Sequence, residues 1–329
     1  RQAATVTVQA LSIIGIKRRA RISSAKDEFL AAVKRVLAEL REFWPLSDRR
    51  IHYELLNDPP LKHASKPKSR YCNDDKSYDS LTELLTRARV SGDIPFEAIG
   101  DETRPVTTWS VWPETGTFIR TEVGAFLKGY WRNLMQSQPN HVEIVGEKNT
   151  VRPIIYPVAA QYCIPLTTGR GYCSLPPRHA MAQRFRRSGK EKLILLLVSD
   201  FDPDGESIAH SFARSMRDDF GIEAIHPIKV ALTKEQVDRF HLPPGGKAKK
   251  GSSQYGKFHA KYGDDVYELE ALKPAALQQI LRDAIDAVID RDAFNAELDC
   301  EKQDATHLEA VRRTVHRCLL EAGIDEVQP

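Results

Sequence analysis

The fold is decided by Leu193-Ile194-Leu195-Leu196-Leu197-Val198-Ser199-Asp200-Phe201-Asp202-Pro203-Asp204-Gly205. Six apolar residues in a row, followed by polar ones, are typical of a strand that is buried on both faces, as in a parallel sheet. Strand-like runs at 141–145, 161–166 and 222–230 alternate with helical patterns. This alternation predicts an α/β fold whose parallel sheet carries helices on both faces. The helical patterns lie at 150–159, 179–187 and 205–220, and amphipathic helices follow at 273–289 and 306–322.

The first part of the chain predicts a set of helices. Ser24 precedes an amphipathic helix that continues to about residue 43, and two shorter helices follow at 49–56 and 77–90. The runs 94–99 and 107–112 predict a short hairpin after them. Three helices and a hairpin make up a winged helix, a relative of the helix-turn-helix that commonly binds DNA. A small helical packing module is the alternative.

Length and composition describe a globular protein of about two domains. The 329 residues are 41% hydrophobic and 28% charged, which excludes wholesale disorder, a fibre and a coiled coil. No apolar run approaches the ~20 residues that span a bilayer, so we expect no membrane partner. Five cysteines without a C-x-x-C pair favour a reducing cytoplasm. The 48 basic and 45 acidic residues nearly cancel, so a nucleic-acid surface has to come from local clustering.

Carboxylates follow two of the predicted strands. Glu147 comes just after the first, and Asp200 and Asp202 follow the strand at 193–198. Acids at one edge of a sheet repel each other, and a divalent cation is the usual compensation. Without a cysteine pair or a histidine cluster, hard oxygen ligands favour Mg²⁺ or Mn²⁺ over zinc. We therefore predict a metal site on Glu147, Asp200 and Asp202.

Three further acids each have two interpretations. Asp204 lies where the next helix begins, where negative charge is favoured, and it is also a candidate additional ligand. Glu268 and Glu270 alternate in a run at 266–272 that predicts a strand, which puts both carboxylates on one face. These two are either additional or outer ligands of the metal or members of ordinary salt bridges.

The order of these acids resembles the Toprim domain, which topoisomerases, primases and certain nucleases share. In that domain an isolated Glu follows one strand and Asp-x-Asp follows a later one. The form at 199–205 is most similar to the variant in the A subunit of topoisomerase VI and its meiotic double-strand-break relatives, and the stretch at 165–171 resembles their Thr-x-Gly segment. The resemblance implies a Rossmann-like Toprim domain with Glu147, Asp200 and Asp202 as its metal ligands.

The same family places a winged helix before its Toprim domain and carries a nucleophilic tyrosine in a motif similar to Arg-(Glu/Asp)-Ile-Tyr-Tyr. Here the sequence reads Arg49-Arg50-Ile51-His52-Tyr53. Arg49 and Tyr53 are four residues apart and share a helix face, where a guanidinium favours the phenolate and can hold a phosphate. The resemblance implies that Tyr53 is the nucleophile. The alternative is a partly buried helix aromatic, and His52 and Arg50 depart from the motif.

The resemblance covers about residues 45–270 and implies a domain order. We expect an N-terminal extension with a helix at 1–44, a winged-helix DNA-binding domain at 45–135, and a Toprim domain with C-terminal helices at 136–329. With no ATPase domain attached, the chain resembles the stand-alone Mini-A relatives found on mobile elements. Candidate DNA contacts are Arg50 and His52 in the motif and the basic cluster Arg178, Arg184, Arg186 and Arg187.

The function implied by the resemblance is a magnesium-dependent, type IIB topoisomerase-like enzyme that cleaves double-stranded DNA by transesterification. It implies a 5′-phosphotyrosyl linkage to DNA and a homodimer, because in the family the two halves of the site come from different subunits. It also allows a separate GHKL-type ATPase subunit as a partner and implies a nucleoid-associated place in the cytoplasm. Two alternatives stay open. One is a hydrolytic Toprim nuclease that uses water as its nucleophile, and the other is a DNA-binding subunit that is inactive without an ATPase partner.

Overall fold

The computed structural model describes residues 21–100, 109–169 and 175–322. Residues 1–20 of the expected N-terminal extension lie outside this part of the chain, as do residues 170–171 of the Thr-x-Gly stretch.

Three helices build the first part, as the sequence predicts: α1 (Asp27–Glu39), α2 (Asp48–Asn57) and α3 (Asp75–Ser91). Ser47 begins α2, because its hydroxyl accepts a hydrogen bond from the backbone N–H of Arg50 at 3.1 Å. Gly92 ends α3 in the left-handed conformation with φ of 83°. The structure places α1 in one core with α2 and α3, across the expected boundary after residue 44; its members include Phe29, Val33, Ile51, Leu55, Leu81 and Leu84.

The predicted hairpin after these helices is wrong in its described part. Phe96–Ala98 form a 3-10 turn, and Ile99 makes only an isolated parallel bridge with Leu46. Ile94 and Ala98 are buried, but Phe96 between them is 63% exposed, which does not fit the alternation of a half-buried strand. Residues 109–112 have no strand structure, and 107–108 lie outside the described residues. A fourth helix, α4 (Thr115–Ala125), follows.

The α/β class and the parallel sheet are confirmed. The sheet has four strands, β1 (His141–Gly146), β2 (Leu166–Thr168), β3 (Leu193–Val198) and β4 (Ile225–Ala231), in the order β2-β1-β3-β4. β1 and β3 run in register, with Ile144 opposite Leu196 and Gly146 opposite Val198. All six residues of β3 are buried, because its two faces meet two different hydrophobic clusters. This is the burial on both faces that the apolar run predicts.

Three helices connect the strands: α5 (Arg152–Gln161), α6 (Leu175–Ser188) and α7 (Pro203–Asp218). The strand expected at 161–166 is wrong over most of its length, because α5 continues through Gln161 and the strand begins at Leu166. The apolar residues before it, including Ile155 and Val158, face the core at helical spacing.

The last described part of the chain adds four helices and two short strands. It contains α8 (Lys234–Arg239), β5 (Gly246–Lys247), α9 (Tyr255–Tyr262), β6 (Asp265–Val266), α10 (Pro274–Asp286) and α11 (Arg291–Glu321). The strand predicted at 266–272 is wrong beyond its start, because Leu269–Ala271 form a 3-10 turn. The last predicted helix begins at Arg291, well before residue 306. Among the described residues, no helix combines the length and the apolar character that crossing a membrane requires.

Candidate active site

Glu147 and Asp200 meet because their strands are neighbours in the sheet. Glu147 follows β1, and its backbone N–H donates to the carbonyl of Val198 at 2.9 Å, which extends the strand pairing. Its carboxylate accepts a hydrogen bond from the backbone N–H of Asp200 at 3.0 Å. Asp200 itself is buried, with 5% of its surface exposed. The two acids therefore lie together at the carboxyl edge of the sheet, as the sequence predicts.

Asp202 and Asp204 belong to the beginning of α7. Asp202 is the N-cap of this helix, and its Oδ1 accepts a hydrogen bond from the backbone N–H of Gly205 at 2.6 Å. A Cβ at Gly205 would lie 2.2 Å from the carbonyl oxygen of Asp200, so this tight turn requires glycine. Asp204 accepts a hydrogen bond from the hydroxyl of Ser252 at 2.9 Å. Asp202 therefore caps α7, and Asp204 lies in the first turn of the same helix.

Two lysines that the sequence analysis did not single out reach these acids. Lys148 Nζ lies 2.6 Å from Asp200 Oδ2 and 3.5 Å from Glu270 Oε2. Lys229 donates to the carbonyl of Asp200 at 2.9 Å and pairs with Glu206 at 2.6 Å. The position of Lys148 directly after Glu147 is the feature of the sequence that could have indicated its place in the site. Glu270 therefore takes part in a salt bridge, one of its two predicted roles.

The carboxyl groups are not fully compensated by these cations. Burial raises the pKa of Glu147 to about 7, and the neighbouring charge of Asp200 adds to the rise. Burial also raises the pKa of Asp200 to about 6, although Lys148 opposes the shift. Raised carboxyl pKa values mean that the folded site disfavours the negative charge it carries at neutral pH. Additional positive charge would relieve this cost.

The donor set suits Mg²⁺ or Mn²⁺, because Glu147, Asp200 and Asp202 offer carboxylate oxygens alone. In the present side-chain conformations, no three acid, histidine or cysteine side chains of the described residues are arranged as a ready-made metal site. Asp200 Oδ1 accepts from the backbone N–H of Leu269 at 2.9 Å, and Asp202 Oδ1 caps α7. A cation would therefore be held by the remaining oxygens of these residues.

Tyr53 and Arg49 meet at one carboxylate oxygen. The Tyr53 hydroxyl donates to Glu268 Oε2 at 3.3 Å, and Arg49 Nε lies 3.2 Å from the same oxygen. The guanidinium of Arg49 also stacks over the ring of Tyr78, with 4.5 Å from Cζ to the ring centre. The helix face that Arg49 and Tyr53 share is thus directed toward Glu268. The sequence predicted Glu268 only as a metal ligand or as a member of a salt bridge.

The Tyr53 hydroxyl is covered by the segment at 243–246. Tyr53 is 4% exposed, and a Cβ on Gly245 would lie 2.8 Å from its hydroxyl oxygen, so a larger residue there would have to displace the hydroxyl. The segment is held by hydrogen bonds from Asn73 Nδ2 to the carbonyl of Pro244 at 2.7 Å and from the Gly245 N–H to the carbonyl of Val266 at 2.8 Å.

The expected activation of the phenol by Arg49 does not dominate in this structure. Burial raises the pKa of Tyr53 well above its ordinary value, and the charge of Glu268 raises it further. The guanidinium of Arg49 lowers the pKa of Tyr53, but by less than the other two effects. Tyr53 is therefore a protonated hydrogen-bond donor here, because desolvation and a nearby anion both oppose the phenolate.

Arg49 and Glu268, the partners of Tyr53, border one cleft of about 530 Å³ together with the predicted metal ligands, whereas Tyr53 itself does not line it. Arg49 comes from α2, the acids come from the edge of the sheet, and Lys247 and Lys249 come from the loop around β5. The partners of Tyr53 and the predicted metal ligands are thus brought together within one chain. Lining residues named in the sequence analysis are Arg49, Glu147, Asp200, Asp202, Asp204 and Glu268.

Arg50 and His52 face the interior. Arg50 is 2% exposed and donates to the backbone carbonyl of Leu272. His52 is 1% exposed, and its two ring nitrogens lie 2.7 Å from the Tyr71 hydroxyl and 3.1 Å from Asn73 Oδ1. A contact of either side chain with DNA would require it to leave these positions.

The four arginines of α6 have internal partners. Arg184 makes a two-pronged ion pair with the fully buried Glu143 at 2.7 and 2.8 Å. Arg178 stacks over the ring of Phe212, and Arg186 donates to the carbonyl of Phe220. Arg187 is exposed and donates to a carbonyl of its own helix. Of the four, Arg187 is the most available to an external phosphate.

The chain was compared with models of protein families, with curated proteins and with solved structures. None of the three comparisons returned a match.

Proposed function

We propose that this protein cleaves DNA by transesterification through Tyr53, in the manner of the topoisomerase VI A subunits that its motifs resemble. The observation that carries the proposal is the cleft itself. Arg49 and Glu268, the two charged neighbours of Tyr53, line the same cleft as Glu147, Asp200 and Asp202. A nucleophile, a cation for the phosphate and a set of metal-binding acids are the parts that such a reaction needs.

The chemical step follows from the contacts of Tyr53. Its hydroxyl proton passes to the carboxylate of Glu268, which already accepts its hydrogen bond at 3.3 Å. The phenolic oxygen forms a bond to phosphorus, and the bond from phosphorus to the 3′ oxygen breaks. The leaving oxygen takes a proton from water, and the protein is left with a 5′-phosphotyrosyl linkage. Arg49 neutralises charge on the phosphate during the transfer.

The acids would hold a divalent cation, which stabilises charge on the phosphate and on the leaving oxygen when it is bound. Glu147, Asp200 and Asp202 are the residues we assign to it. The acting form we propose is a homodimer on double-stranded DNA, associated with the nucleoid, which cuts by itself and can also bind a separate GHKL-type ATPase subunit.

The burial of Tyr53 sets a condition on this mechanism. DNA reaches the hydroxyl only if the segment at 243–246 moves away from it. The same burial favours a second candidate, a hydrolytic nuclease, because a covered and protonated tyrosine is a poor nucleophile, whereas water can enter the open part of the cleft. In that case Tyr53 would only support Glu268. A DNA-binding subunit that acts only with an ATPase partner is the third candidate.

The experiment is incubation of the purified protein with supercoiled plasmid and Mg²⁺, quenched with detergent and divided into samples with and without protease. We expect linear DNA that remains bound to protein until protease is added. Tyr53→Phe should abolish both the cut and the linkage, since only transesterification needs the hydroxyl. Tyr71→Phe is the matched control, because Tyr71 is also buried and the rings of both tyrosines pack against His52, with centroids 5.5 and 5.3 Å from its ring.

The alternatives predict different results. Protein-free cuts that survive Tyr53→Phe but disappear in Asp200→Asn would establish the hydrolase. DNA binding without any cut would favour the partner-dependent subunit. Cuts that survive both substitutions would exclude this cleft as the site of the reaction.

A further inference from the structure

Lys148 has no task in the reaction proposed above, yet it lies among the acids of the cleft. Its ammonium is 2.6 Å from Asp200 Oδ2 and 3.5 Å from Glu270 Oε2. The Lys148 side chain is 29% exposed, whereas those of Asp200 and Glu270 are 8% and 4% exposed. A partly exposed cation thus covers two buried carboxylates.

Glu270 is the second buried carboxylate that depends on Lys148. Its Oε1 accepts a hydrogen bond from the hydroxyl of Thr150 at 2.6 Å, but its buried Oε2 has no hydrogen-bond partner. A buried carboxylate oxygen without a hydrogen bond depends on nearby positive charge to offset its desolvation. Lys148 supplies that charge, and together with the hydrogen bond from Thr150 it holds the pKa of Glu270 below its ordinary value in spite of the burial.

Asp200 shows where a metal and Lys148 would compete. Its Oδ1 is occupied by the backbone N–H of Leu269 at 2.9 Å, so Oδ2 is the oxygen that remains for a ligand. Lys148 holds this same oxygen at 2.6 Å. A cation close to Oδ2 would repel the ammonium, and the two cannot both keep short contacts there.

We propose that Lys148 is a built-in counter-ion, which neutralises the acids in the metal-free protein and leaves Asp200 Oδ2 when a divalent cation binds. The proposal rests on the metal site of the proposed function. Displacement of the ammonium lowers the affinity for the metal, because part of the binding free energy replaces an existing ion pair. It also favours divalent over monovalent ions, since only the exchange for a divalent ion adds positive charge to the cluster.

The test is the binding of Mn²⁺, measured from the electron paramagnetic resonance signal of the free ion, with no DNA present. Lys148→Met should bind Mn²⁺ tighter than the wild type, by a factor on the order of ten or more, since unpaired buried acids are costly. Lys247→Met is the matched control and should bind as the wild type does. Lys247 borders the same cleft, but it pairs with the exposed Asp265 at 2.6 Å.

A second measurement applies if Lys148→Met folds poorly. In EDTA, Lys148→Met should melt below the wild type, and Mn²⁺ should raise its melting temperature by more than it raises that of the wild type. A variant that folds only when Mn²⁺ is present would give the same support. Lys148→Arg keeps the charge and should retain wild-type binding.

The outcomes separate this inference from the proposed function. Suppose that Lys148→Met binds Mn²⁺ as tightly as the wild type or more weakly, and that Asp200→Asn abolishes binding. This result would overturn the role of Lys148 and leave the metal site in place. Tighter binding in Lys148→Met without DNA cleavage by the wild type would support the counter-ion and count against the transesterase. Absence of Mn²⁺ binding in both proteins would overturn both.

Discussion

Glu147 is a carboxyl group whose folded environment opposes its charge. Burial and the neighbouring Asp200 raise its pKa from 4.5 to about 7. Between these two values the folded protein binds more protons than the unfolded chain. The free energy of unfolding therefore falls as the pH rises through this range. The site pays this cost at neutral pH, which is typical of residues kept for chemistry rather than for stability.

We predict that Glu147→Gln removes much of this pH dependence. In EDTA, the wild type should lose on the order of 3 kcal/mol of unfolding free energy from this group between pH 4.5 and pH 7. The variant should show a flatter profile and exceed the wild type in stability at pH 7.5. Urea denaturation at several pH values measures the free energy of unfolding of both proteins. A wild-type slope retained in the variant would contradict the assigned cause.

Arg184 and Glu143 join α6 to the centre of the sheet. Glu143 is fully buried in β1, and Arg184 is a third exposed. His141 Nε2 lies 2.9 Å from the same carboxylate. Because a buried acid without its partner is strongly destabilising, the ion pair makes Arg184 a structural residue first.

We predict that Arg184→Met lowers the free energy of unfolding by about 3 kcal/mol, because it leaves Glu143 uncompensated. Arg187→Met, three residues further along the same helix, should change it by less than about 0.5 kcal/mol. Urea denaturation compares the two variants, and DNA affinity is measured beside it. If Arg184→Met kept full stability and lost DNA binding, the structural role would be refuted.

The elements that the sequence predicts well are those with an uninterrupted pattern. The run 193–198 predicts a strand buried on both faces, and the rule for strand ends brings Glu147 beside Asp200. The predictions fail where a short apolar run fits both the helical and the strand periodicity, as at 94–99. The contact of Tyr53 with Glu268 joins residues 215 positions apart, so no local pattern contains it. The direction of the Lys148 side chain depends on the same long-range packing.

The helical first part and the α/β part of the molecule are joined through α2. Arg50 connects them most deeply, because its buried guanidinium donates to the carbonyl of Leu272. Burial lowers the pKa of Arg50 to about 10. Tyr53 and Asn73 add contacts to Glu268 and Pro244. These contacts should make the two parts unfold together.

We predict that Arg50→Met uncouples the two parts. The wild type should unfold in one calorimetric transition, whereas the variant should show two, because loss of a buried guanidinium frees the contact between α2 and the segment at 269–272. Arg35→Met, which removes only an exposed pair with Asp58, is the control. A single transition in Arg50→Met with an unchanged midpoint would disprove this coupling.

Helix α11 is anchored mainly in its first half. Its buried residues, Phe294 and Glu297, lie in its first two turns, and Arg132 holds it through Glu297 and Asp304, both at 2.7 Å. Beyond Asp304 the helix continues for roughly 25 Å to its end, and Arg312 on this stretch donates to the carbonyl of Gly124 at 3.4 Å. At the base, the Gln138 side chain bonds the backbone of Asp290 at 2.7 and 2.8 Å, just before β1 begins. The base of α11 and the start of the strand whose far end carries Glu147 are therefore joined through Gln138.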